Sequence, residues 1–132
     1  MTLIDAQSAI LDKTRELCAA IAENEEFLKL QESVENFLND DEARLQYRSV
    51  HEQGEQLHQK QHAGIELGSA EIRSFEAARD AMFENPLTRE FFQAREQLDA
   101  MQTEISRHVN LTIELGRVPN EDELAEASGG GC

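Results

Sequence analysis

A chain of 132 residues, 39% hydrophobic and 30% charged, with no Trp, one Tyr and two Pro, has room for one domain and too few strand formers for a sandwich or barrel. Twelve Lys and Arg against 27 Asp and Glu leave a formal net charge of -15; such a surface repels phosphate backbones and anionic lipid, so no direct nucleic-acid or membrane partner is expected. Two cysteines cannot build a disulfide framework, and no leader-like start or apolar run of about 18 residues occurs, so a cytoplasmic protein is expected.

In chain order, Leu3, Ile10, Thr14, Leu17 and Ile21 fall on one helical stripe. Asn24 followed by Glu25 and Glu26 predicts an N-cap with acids in the first turn, opening a short second helix with Phe27, Leu30, Val34 and Phe37 inside. That helix ends at the Asn39-Asp40-Asp41 cluster, which also caps the next one.

The third helix carries Ala43, Tyr47, Val50, Gly54, Leu57 and Gln61 and stops at Gly64. Gly54 in its interior costs about 1 kcal/mol relative to Ala, which predicts close approach of a neighbouring helix as compensation. Ser69 is the expected N-cap of a fourth helix with Ile72, Phe75, Met82 and Phe83 inward. Asn85-Pro86 is the sharpest boundary: Asn caps, and Pro at the first helical position loses no hydrogen bond. From there a stripe of Leu87, Phe91, Ala94, Leu98, Met101, Ile105, His108, Thr112 and Leu115 runs unbroken until Gly116 and Pro119. About thirty residues at 1.5 Å each give a helix of about 45 Å.

These patterns predict an all-α, antiparallel bundle of about five helices with a long last helix. Residues 1–116 form the expected domain, and 117–132, acidic and then Gly-rich, a disordered tail.

Near its end the last helix is apolar over an arc of about 200°, twice what a surface helix needs to cover one core. Ile105, Val109, Leu111 and Ile113 lie on that arc, and the expected reason is burial on two flanks, one against a partner chain. Leu87, Phe91, Phe92, Leu98 and Met101 extend the expected partner interface along the helix, and the first helix supplies the complementary surface. A homo-oligomer such as a dimer, or a hetero-oligomer with paralogues, follows. His108 on the same seam reads as a register or interface group.

No phosphate-cradling loop or nucleophile elbow occurs, so catalysis is not expected and no cofactor is required. The alternative is a metal or iron-sulfur carrier. His51, Glu55, His58 and His62 share one helical face, and His58, His62 and Cys132 are its candidate ligands. One tail thiolate per chain requires that any cluster be shared with partner chains. Cys18, beside Leu17 and Ile21, reads as a packed small apolar residue. A helical holdase or structural protein is the remaining alternative.

The run from Arg15 to Phe27 resembles the opening of the YlbF/YmcA family of bacterial regulators, and Asn39-Asp40-Asp41-Glu42-Ala43 its next turn. Asn85-Pro86-Leu87, followed by Phe91, Ala94, Glu96 and Leu98, is similar to the family's long last helix, so the resemblance covers about residues 3 to 115. It implies a small, commonly self-associating helical bundle in a group that regulates competence, biofilm formation and sporulation. It also implies partners: YlbF, YmcA and YaaT act in one complex, linked to iron-sulfur clusters and ribonuclease Y-dependent RNA maturation.

Overall fold

The computed structural model describes residues 3–5 and 8–129, and among them every regular element is an α-helix. Contacts divide the chain into two compact units, Met1–Ala94 and Arg95–Cys132, where the sequence predicts one unit over 1–116. Nothing local marks the division, because the stripe of the last helix continues through it.

In the first unit, α1 (Ala9–Glu23) starts where the Ser8 hydroxyl accepts the Leu11 amide at 3.2 Å. Leu3, assigned to this stripe from its spacing, lies in a turn ahead of the helix, since the cap at Ser8 sets the start five residues later. Asn24 serves two helices. Its N–H donates to the Ile21 carbonyl at 3.2 Å, and its Oδ1 accepts from Phe27 N–H at 3.0 Å to open α2 (Glu25–Leu38). Asp40 repeats the device for α3 (Asp41–His62), accepting from Ala43 N–H at 2.9 Å.

The end of α3 is a Schellman motif: Ile65 N–H reaches the Lys60 carbonyl and Gly64 N–H the Gln61 carbonyl, with Gly64 at φ 76°. For α4 (Ser69–Glu84) the cap is Gly68, not Ser69 as predicted. Glu71 decides this by reaching back to the Gly68 N–H at 3.3 Å while its carboxylate pairs with Lys60 on α3. The Lys60 hydrogen bond, followed by that of the Gly68 amide, holds the Glu71 carboxyl below its ordinary range.

Phe75 of α4 is the neighbour at Gly54: a Cβ on residue 54 would stand 3.4 Å from its ring, an ordinary contact distance, so α4 packs there but the approach does not depend on the missing side chain. Asn85 ties the next corner, its amide donating to Gln46 Oε1 at 3.1 Å and its Oδ1 accepting from Leu87 N–H. There α5 (Pro86–Leu115) begins.

The buried apolar set of this unit is small: Phe37, Ala43, Met82, Phe91 and Ala94. Thr88 is also fully buried, and its hydroxyl finds no partner among the described residues. An orphaned buried hydroxyl costs about 1–3 kcal/mol. Thr88→Val keeps the shape and removes the orphan, so it is expected to raise the denaturant midpoint by the equivalent of about 1 kcal/mol; an unchanged or lowered midpoint would show that the hydroxyl is satisfied.

In the second unit, α5 ends in an αL turn at Gly116, φ 75°, whose N–H bonds the Thr112 carbonyl. Composition predicts an unfolded tail from 117, but Glu121–Gly129 form a sixth helix, α6. The reason is local: Asn120 Oδ1 accepts from Glu123 N–H at 2.9 Å, and Glu123 returns the bond to Asn120 N–H at 3.0 Å. Arg117 then grips both Glu123 oxygens at 2.7 Å.

The Arg117 hydrogen bonds, then that of the Asn120 amide, bring the Glu123 carboxyl down to about 2. A carboxylate with a depressed folded-state pKa stabilises above its unfolded value of 4.5 and loses that contribution as pH falls toward about 2. The start of α6 is therefore expected to survive at pH 4 and to melt on further acidification. Carboxyl-carbon NMR of Glu123 should show a midpoint near 2, moving up in Arg117→Gln; an ordinary midpoint in the unsubstituted protein would refute the clamp.

Candidate association surface

The first unit presents a chain of rings. Phe91 stacks on Phe37 with centroids 4.1 Å apart, Phe37 meets Tyr47 edge-on at 5.9 Å, Tyr47 lies 6.1 Å from Phe92, and Phe92 lies 5.4 Å from Phe83. Phe91 is thereby part of the chain's own core, with Phe37 and Ala43, and offers no free face to a partner. This corrects its assignment to the partner interface: of two adjacent phenylalanines on a helix only one can face inward, and the ring of Phe37 takes Phe91. Phe92 sits half-buried at the margin, as does Leu87. Sequence reasoning missed Tyr47 and Phe83 as surface aromatics. Both are exposed on one side and continue the row from Phe92, and only their inward spacing is readable from the chain.

Also in the first unit, α1 buries none of its fifteen residues, and Ile10 and Leu17 on its apolar stripe are exposed. Cys18 is exposed too, which corrects its reading as a packed residue.

In the second unit, α5 contributes no buried residue beyond Ala94. Leu98, Met101, Ile105 and Leu111 are half-buried, while Val109 is 52% and Ile113 76% exposed. His108 is exposed and its Nε2 lies 3.1 Å from Glu104 Oε1, an oxygen that Arg107 also engages. Glu104 lies one turn before His108 on the same flank of α5, so the apolar arc carries one carboxylate, engaged by both Arg107 and His108.

The family model described as "Control of competence regulator ComK, YlbF/YmcA" matches residues 10–114. The chain belongs to this family. The match spans α1 through nearly all of α5, close to the stretch that the sequence resemblance covers. No curated protein and no solved structure matches the chain.

In this YlbF/YmcA-family chain the histidines of α3 serve the surface. The His51 ring lies parallel to Tyr47 at 6.4 Å, and His58 and His62 stack on each other at 5.7 Å. Among the described residues no group of three His, Cys, Asp or Glu side chains converges to hold a metal, so His58 and His62 stand as a two-donor pair on one helix. Cys132, the third candidate ligand, lies outside the described residues. No helix of the described residues is long and apolar enough to cross a membrane.

Proposed function

We propose that this chain is a non-catalytic regulatory adaptor that works in the cytoplasm by pairing its helices with other protein chains, a second copy or a paralogue, and needs no cofactor to do so. The family's description, control of a competence regulator, supports the regulatory half of this reading. The single observation behind the associative half is the second part of α5, which carries an apolar stripe through Leu115 yet contributes no buried residue past Ala94 among those described. Covering a Val or Ile side chain is worth about 1.5–3 kcal/mol, so a helix that leaves Val109 and Ile113 open gains several kcal/mol from a neighbour. The bare stripe of α1 is the second such edge. In the finer form of the proposal, such pairing controls developmental state or RNA processing by bringing partners together.

Light scattering on the purified full chain, from low to high micromolar concentration, tests it. A dimer or larger assembly is expected; a monomer throughout, with no protein partner recovered from its own host, overturns the reading.

A further inference from the structure

On α2 the inner stripe is clear: Phe37 is buried, and Phe27, Leu30 and Val34 are half-buried. At 100° per residue, Leu28, Glu32 and Glu35 fall on the outer side, and Leu38 falls at the boundary between Glu35 and the inner stripe. Leu28 is 48% and Leu38 51% exposed. Over Glu25–Leu38 the sequence has four carboxylates and only Lys29 to balance them, and none of the four is in an ion pair among the described residues.

Glu25 and Glu26 need no further cause, since acids in a first turn complement the helix dipole. Glu32 and Glu35 are different. Glu35 lies in the last turn, where the dipole disfavours an anion and where α2 has no basic residue. Two exposed leucines thus stand before and after two carboxylates that have no ion pair among the described residues, one of them set against the helix dipole, an arrangement that suits a partner more than it suits α2 itself.

We infer that this outward face of α2 is a docking surface for a cationic amphipathic protein segment, one that sets Lys or Arg a turn apart beside an apolar ridge. Charge selects the occupant. A second copy of this chain, at -15, or any phosphate-rich polymer would bring like charge to Glu32 and Glu35. A basic helix instead pairs with both carboxylates, while Leu28 and Leu38 bury against its apolar side and hold it in register. The surface is separate from the stripes of α1 and α5 that carry the proposed function, so assembly state and basic-segment binding can fail independently.

The probe is a synthetic helical peptide of Leu and Lys with one leucine ridge, titrated calorimetrically into the full chain at physiological salt. Glu32→Gln/Glu35→Gln is expected to weaken binding at least about tenfold. Glu121→Gln/Glu126→Gln, the same change of charge on α6, is expected to alter it less than about twofold. A peptide of equal charge with its leucines replaced by Gln is expected to bind more weakly to the unsubstituted chain. Removing a carboxylate that opposes the dipole leaves α2 as stable or more so, which thermal melts of the variants will show, so lost binding is not lost folding. Equal weakening by both double variants, indifference to the leucine ridge, or no binding at all overturns the inference; the first two would mean that the peptide senses only overall acidity.

Discussion

Phe91→Ala is expected to remove most of the folding stability of the first unit and to leave no sharp urea transition in far-UV circular dichroism. Truncating a buried Phe costs about 3–5 kcal/mol, against a total of about 5–15 kcal/mol for an ordinary domain. Among the described residues the buried apolar set is five, and Phe91 stacks directly on buried Phe37, so little remains to compensate. Phe92→Ala is the informative neighbour: half-buried at the margin of the same rings, it is expected to cost clearly less. If the two variants melt alike, the assignment of Phe91 to the core and Phe92 to the edge is wrong.

The second large effect belongs to association. Val109→Lys/Ile113→Lys is expected to weaken self-association at least about 100-fold, because each change places an ammonium where an apolar contact worth about 1.5–3 kcal/mol would form. Both positions are exposed on α5, Lys is a better helix former than Val or Ile, and a cation near a helix C-terminus suits the dipole, so helicity should hold. The variant also carries less net negative charge than the parent, which rules out added repulsion as the cause of dissociation. Sedimentation velocity with circular dichroism checks both halves. An unchanged assembly would remove this part of α5 from the interface.

What was readable from the chain was mostly local. Asn24, Asp40, Asn85-Pro86, Gly64 and Gly116 mark helix ends because capping and left-handed turns are settled within four or five residues. Where two neighbours compete, as Gly68 and Ser69 do, the tie is broken by Glu71, whose engagement with Lys60 lies eleven residues away. For α6, average composition outweighed a specific signal: Asn120 three residues before Glu123 is a capping pair, and Arg117 was within reach to reinforce it. Gly54 predicts an approach closer than the ordinary contact found with Phe75, and the spacing of Phe91 and Phe92 does not say which finds Phe37. Those pairings join distant parts of the chain, and periodicity carries no record of them. The uncovered α5 stripe was foreseeable for the opposite reason, since an arc wider than one neighbour can cover is a property of the helix alone.

The single residue between α1 and α2 sets a strict condition on any relative that keeps this arrangement. With Asn24 closing one helix and opening the next, the joint has no spare peptide to absorb a change in length. One residue inserted there would separate the cap that closes α1 from the cap that opens α2, and so change the bearing of Ile10 and Leu17 against Phe27 and Phe37. The stretch between Gly64 and Gly68 has room to lengthen without such a penalty, so drift in loop size can be tolerated at one end of α3 and is forbidden just ahead of α2.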